Sequence, residues 1–312
     1  MIVSHPSLID DLVEFPDVES IKALPNYTAD VDPRSVTLKK PIGVYRFRDK
    51  IPCGLKSCHT PHFKGLVVQT SEGTAVNIGN ICGRKHFGEH FGVLLQMAVR
   101  FDQRKFHIAK VRELKAVAGR HKEHMADLMD APMGAAWCTR ARRRFEAAVP
   151  SDAIQAVRDL ARRGDPAVYE EIRLRGEDAE IARMFGVRSS QGGASREQVR
   201  RRFKGNLKGL EMWAEDPGRL LYELQRELDE FLTLDPINCK AKALRTAADL
   251  AVAFEGRLKR IEEQLEAAPR FFGPENLVLL RYLSGIGTKT RGFLESLRWD
   301  FQAGKPRNSQ AA

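Results

Sequence analysis

Long apolar runs are missing from this 312-residue chain, since no stretch of 18 apolar residues occurs anywhere in it, which excludes a helix able to cross a bilayer. The opening Met1-Ile2-Val3-Ser4-His5-Pro6 lacks the basic-then-apolar pattern of a secretory signal. The protein is therefore expected in the cytoplasm, with no membrane partner. Cysteine is scarce too: five in all, an odd number, with three grouped between residues 53 and 82. That usage argues against a disulfide framework and for reduced thiols and a metal. Neither a glycine-rich Walker loop nor a Ser-His-Asp arrangement with useful local context is present. Cys138 and Cys239 read as small buried apolar residues.

What the chain does have is an ordinary globular composition, 43% hydrophobic and 29% charged, at a length that suits two domains or one small domain joined to an extended helical part. Lysine and arginine number 51 against 41 acidic residues, a net +10. The first 90 residues carry 11 basic and 10 acidic side chains, so nearly all the excess lies in the remainder. A surplus of this kind draws nucleic acid or another anionic surface.

The first 52 residues hold six prolines and read as irregular chain with one or two strands, among them Ser35–Leu38 and Val44–Phe47. Gly65–Gln69 and Thr74–Ile78 are β-branched runs around a short polar turn ending in Gly73, the two arms of a β-hairpin. From about Phe91 the period becomes helical, and Leu94, Met97, Phe101, Ile108, Val111, Ala118, Met125 and Leu128 form one stripe running toward Pro132. Ser151, Asp165-Pro166, Ser195 with Gln198, Asp216-Pro217 and Asp235-Pro236 each mark a helix start. Leu221, Leu224, Leu228 and Phe231, then Leu244, Ala247, Ala251, Phe254, Leu258, Ile261 and Leu265, predict an antiparallel helical hairpin of coiled-coil type. The expected fold is mainly α. It comprises a zinc-binding N-terminal domain over 1–92, a helical region over 93–188, a linker over 189–195, and a helical hairpin with C-terminal helices over 196–312.

Cys53-x4-Cys58, 23 residues, then Cys82-x3-His86 supplies three thiolates and an imidazole, the donors that tetrahedral zinc prefers. The first pair sits on a turn with Gly54 and the hairpin lies between the pairs. The second pair opens a helix beginning around Gly83 to Phe87, where Cys and His at i and i+4 share a face. The order knuckle, hairpin, helix resembles the treble-clef zinc finger over about residues 50–95. That resemblance implies Cys53 and Cys58 as knuckle ligands and Cys82 and His86 as ligands at the helix start. The four-residue gap in the first pair departs from the commoner two. His59, His62 and His90 compete for the fourth place, and the closed structural site is favoured over a catalytic one.

Three features point to phosphate. Leu280 to Thr290 contains Gly285-Ile286-Gly287 followed by Lys289, and resembles the hairpin of a helix-hairpin-helix DNA-binding motif, in which exposed N–H groups at a helix start face a phosphate. Ser284 and Arg291 depart from its usual pattern. Arg140, Arg142, Arg143 and Arg144 form one arginine cluster. Arg200, Arg201 and Arg202 with Lys204 and Lys208 form another, and both are read here as helical. Gly43-Val44-Tyr45, Asn77-Ile78-Gly79 and Arg84 are also similar, in order, to the GIY-YIG nuclease pattern, with Asn77 in place of its second tyrosine.

These readings imply a non-enzymatic, zinc-containing protein that binds duplex DNA with low sequence specificity. The alternative is an adaptor or inhibitor, of the kind a phage or mobile element encodes, docking on an acidic protein. A GIY-YIG-like nuclease is the remote third reading.

Overall fold

The computed structural model describes residues 12–56, 58–184 and 199–283. The chain is mostly helical, with a small N-terminal sheet, and divides into two compact units. The first runs up to Arg112 and includes Asp235–Asp249; the second takes Glu113–Leu234 and the residues from Leu250 on. No helix among the described residues is long and apolar enough to cross a membrane.

The first unit is built on a four-stranded sheet in the order β1 (Val13–Phe15), β2 (Leu38–Ile51), β3 (His62–Thr70), β4 (Ala75–Gly79), with a short helix α1 (Val18–Lys22) after β1. β1 lies parallel to β2, and the other pairings are antiparallel. The expected hairpin is β3–β4, with Leu66 opposite Ile78 and Val68 opposite Val76. Alternation then divides the apolar side chains between two faces. Leu66, Val68 and Val44 pack with Phe91, Leu94, Met97 and Ala98 of the long helix α2 (Asn80–Asp130) on one side. Val67 and Tyr45 pack with Phe15 and Ile21 on the other. Burial on both faces explains why β4 is buried along its whole length.

α2 starts earlier than its apolar stripe suggested, at Asn80, because its first turn continues directly from β4. It is interrupted at Gly88, whose φ of 53° and ψ of −131° are open to glycine at little steric cost. Phe91, fully buried, rests on Gly83, where a Cβ would stand 2.4 Å from its ring.

The second unit is dominated by helices: α3 (Ala135–Ala148), α4 (Ser151–Arg163), α5 (Glu177–Met184), a 3-10 turn (Leu210–Trp213), α6 (Pro217–Thr233), α7 (Ala241–Phe271, begun in the first unit) and α8 (Pro274–Leu280). Phe145, Trp213, Phe271 and Phe272 form its aromatic core. Leu221, Leu224, Leu228 and Phe231 of α6 are buried, as are Phe254, Leu258, Ile261 and Leu265 of α7. Arg257 ties the two helices by a two-pronged bond to Glu227, at 2.6 and 2.9 Å. Asp216 caps α6 by accepting from the N–H groups of Gly218 and Arg219.

Two helices expected from the sequence are strands. Asp165 accepts from the N–H of Ala167 in a tight turn and launches β5 (Ala167–Arg173), which pairs antiparallel with β6 (Val199–Asn206). Val168, Tyr169 and Ile172 favour a strand, and an Asp-Pro pair signals a turn as readily as a helix start. Asp235 likewise closes a turn over Ile237 and Asn238, and α7 begins only at Ala241. The expected linker over 189–195 and the Ser195 cap lie outside the described residues.

Candidate functional site

Cys53, Cys58 and Cys82 come together. Their sulfur atoms all lie within 4.8 Å of one another, a group that could hold a metal ion. Cys58 and Cys82 stand 3.2 Å apart. A disulfide needs about 2.05 Å, while two thiolates on a tetrahedral ion with metal–sulfur bonds near 2.3 Å stand about 3.8 Å apart. The spacing therefore suits thiols ready to close on an ion.

Each sulfur is placed by a different element. Cys53 follows the end of β2, in a loop clamped from both sides. Gly54 donates its N–H to the carbonyl of Asn77 at 2.9 Å, and its own carbonyl accepts from Asp30 and Val31. A side chain at Gly54 would meet Asn77 Oδ1 and Val76 at 2.7 Å, so glycine is required by close approach. Leu55, with no exposed surface, anchors the next residue, and Cys58 closes a turn back onto the Leu55 carbonyl. Cys82 stands in the first turn of α2.

Burial pushes the Cys53 thiol up to about 12, against the pull of hydrogen bonds from the Gly79 and Leu55 backbone. At Cys58 burial acts upward as well, yet hydrogen bonds with the Thr60 hydroxyl and backbone bring it down to about 7. Cys82 is raised by burial and by its hydrogen bond with Cys58. A divalent cation supplies the charge that would ionise all three.

The histidines are placed elsewhere. His86 is exposed on α2 and is not one of the donors within 4.8 Å. Gly88 breaks the helix between His86 and His90, so those two do not share a regular helical face. His59 is 3.6 Å from the Asp30 carboxylate. His62 has both ring nitrogens in use, Nδ1 on the Thr60 carbonyl at 3.0 Å and Nε2 on the Tyr45 hydroxyl at 2.5 Å.

Asn77 is the residue that sequence reasoning passed over here. It is 2% exposed; its Nδ2 donates to the Pro52 carbonyl at 2.9 Å and its Oδ1 accepts from the Tyr27 hydroxyl at 2.9 Å. Asn77 thus holds the chain on both sides of Cys53, by its side chain at Pro52 and by its backbone carbonyl at Gly54. The available signal was a polar residue inside the otherwise apolar run Ala75–Ile78.

The two triplets of the nuclease resemblance lie on β2 and β4, with β3 between them. Tyr45 is 2% exposed, and burial raises the pKa of its hydroxyl. Gly65 and Gly79, paired across β3 and β4, leave the space in which the Tyr45 and His62 rings lie.

The arginine clusters fare differently. On α3, Arg142 is turned inward, donating to the Met212 and Glu215 carbonyls, paired with Glu146 and stacked over Trp213, which removes it from the candidate phosphate contacts. Arg140, Arg143 and Arg144 are exposed. Arg200, Arg201 and Arg202 lie on strand β6 rather than a helix, opposite Ile172, Glu171 and Glu170. Arg201 pairs with Glu171 at 3.3 Å and Lys204 with Glu170 at 2.7 Å. Among the described residues no carboxylate pairs with Arg200 or Arg202. Lys204 also lies over the Tyr282 ring at 4.6 Å. Gly285, Gly287 and Lys289 lie outside the described residues.

Comparison with protein-family models, with curated proteins and with solved structures gives no match for this chain.

Proposed function

We propose that the chain is a non-enzymatic, zinc-containing DNA-associated protein whose ribbon β5–β6 contacts phosphates. The observation that carries this reading is the ribbon itself. Arg200 and Arg202 share one face by the two-residue period of a strand, and the only acidic residue directly opposite that pair, Glu170, is taken by Lys204. The Lys204 hydrogen bond holds the Glu170 carboxyl below the usual carboxylate range, with Arg202 and Arg281 adding to the positive field. On the other face Tyr169 and Phe203, 42% and 55% exposed, meet edge to face. A two-stranded ribbon is a shape that the major groove of duplex DNA admits, and cations along it neutralise phosphates without reading sequence.

Zinc is the ion this donor set suits, held by Cys53, Cys58 and Cys82 with a fourth ligand from His86, another histidine or water. The succession of cysteine loop, hairpin β3–β4 and helix α2 supports the treble-clef reading. In this scheme the ion fixes the N-terminal sheet, the α6–α7 hairpin acts as a stiff coiled-coil-like scaffold, and the Gly285-Ile286-Gly287 sequence adds a phosphate contact. The adaptor reading is favoured by a separate observation, the exposed apolar side chains Tyr169, Ile172 and Phe203, which suit a protein partner with an acidic rim.

The deciding experiment is the affinity for a random-sequence duplex, measured across a salt series. Binding that falls steeply with salt supports the DNA reading. Absence of binding at low salt removes it and leaves the adaptor.

A further inference from the structure

In the first unit a cleft of about 440 Å³ opens between β2, β3 and α2. That volume lies within the range of small-molecule sites and is larger than an inorganic anion fills. Its floor is apolar, with Val44 and Leu66 of the sheet against Leu95 of α2, and its walls are charged.

Arg46 and Lys64 stand directly opposite each other on antiparallel strands, and both line the cleft. Like charges in that position repel. No carboxylate among the described residues forms an ion pair with either, and Glu14, one of the two carboxylates lining the cleft, is taken by Lys105. The strands therefore carry a two-cation seat without a counter-ion. Two acceptors also line the cleft. Asn80 has a buried Oδ1 with no hydrogen-bond partner, and Asp102, which is exposed, forms no ion pair among the described residues. A buried acceptor left without a partner is costly, and a ligand donor toward which the Asn80 side chain turns would recover that cost.

We propose that this cleft binds a nucleoside monophosphate, its phosphate seated on Arg46 and Lys64 and the N–H groups of its base donated to Asn80 and Asp102. The apolar floor takes the ring faces. An anion alone leaves Asn80 and the floor unused, and a neutral nucleoside leaves the two cations facing each other. The assignment rests on residues of the first unit and is independent of the ribbon.

The test is calorimetric titration of the full chain with adenosine 5′-monophosphate, adenosine and inorganic phosphate, beside the Arg46→Gln/Lys64→Gln and Asn80→Ala variants. The nucleotide should bind at least about tenfold more tightly than either fragment. The double glutamine variant should lose at least about tenfold in affinity while melting no lower than the parent, since removing like-charge repulsion does not weaken the fold. Asn80→Ala should weaken the nucleotide but not inorganic phosphate. An Arg200→Ala/Arg202→Ala variant should keep full nucleotide affinity, which separates this site from the DNA reading. Failure of the nucleotide to bind at millimolar concentration, equal binding of inorganic phosphate, or unchanged affinity in a well-folded Arg46→Gln/Lys64→Gln variant overturns the proposal.

Discussion

The side-chain amide of Asn77 and the carbonyl of Pro52, 2.9 Å apart, bind β4 to the residue that precedes Cys53. The same asparagine accepts from Tyr27 through its side chain and from Gly54 through its backbone. The loop that carries Cys53 to the other two thiols is thereby fixed by a residue outside the group of three donors.

Asn77→Ala should lower stability by about 1–3 kcal/mol, because the Pro52 carbonyl and the Tyr27 hydroxyl lose their partner. It should also weaken zinc about 10- to 100-fold, as loss of an outer-sphere support does at other metal sites. Denaturant titration and chelator competition measure the two effects. Full zinc affinity in the folded variant would show that the Cys53 loop needs no such clamp.

Cys82→Ser removes one of three donors and should abolish tight binding of one zinc per chain, with a fall in melting temperature, since binding energy at a structural site is folding energy. Metal analysis after dialysis, paired with a thermal melt, decides it. One zinc per chain at an unchanged melting temperature would end the metal assignment.

The hairpin β3–β4 and the buried stripes of α6 and α7 were legible because their signals are local: a polar turn between β-branched runs, and leucines at three and four. The cysteine cluster was legible in its residues and not in its fourth member, since spacing cannot say that His62 is spent on Tyr45 and Thr60. The ribbon was misread because β5 and β6 pair across some thirty residues of chain. Neither strand looks stable alone, and consecutive arginines carry no apolar period. Asn77 escaped because its role exists only once β4 meets the Pro52 loop.

Phe254, with no exposed surface, packs its ring 4.9 Å from that of His121 within the second unit. Phe254→Ala should cost about 3–5 kcal/mol of unfolding free energy. A change under about 1 kcal/mol would mean that the stripe on α7 is not core.

Glu227 has its carboxyl held below the usual range, chiefly by the hydrogen bond from Arg257. A depressed carboxylate contributes stability above its unfolded pKa and loses it as pH falls through the folded value. Both side chains are over a third exposed, so solvent screening limits the pair to about 1 kcal/mol or less. Glu227→Gln should therefore be slightly less stable than the parent at pH 7 and equal to it once the pH lies below the depressed carboxyl. A difference that persists unchanged at acid pH would trace the effect to packing instead.

The ribbon gives the sharpest functional prediction. Arg200 and Arg202 are exposed and make no ion pair among the described residues, so replacing both by alanine removes charge without stripping a partner. Exposed changes of this kind alter stability by less than about 0.5 kcal/mol each. If both contact phosphates, the slope of log affinity against log salt should flatten by about 1.8, close to 0.9 per contact, and the loss should be similar for unrelated sequences. Arg142→Ala makes the opposite control: the side chain is stacked on Trp213 and bonded to two carbonyls, so its loss should destabilise the second unit and leave the salt slope as it was. Unaltered slope and affinity in the folded Arg200→Ala/Arg202→Ala protein would turn the ribbon from a DNA contact into a docking face for an acidic protein, where Tyr169 and Phe203 would be the anchors to mutate next.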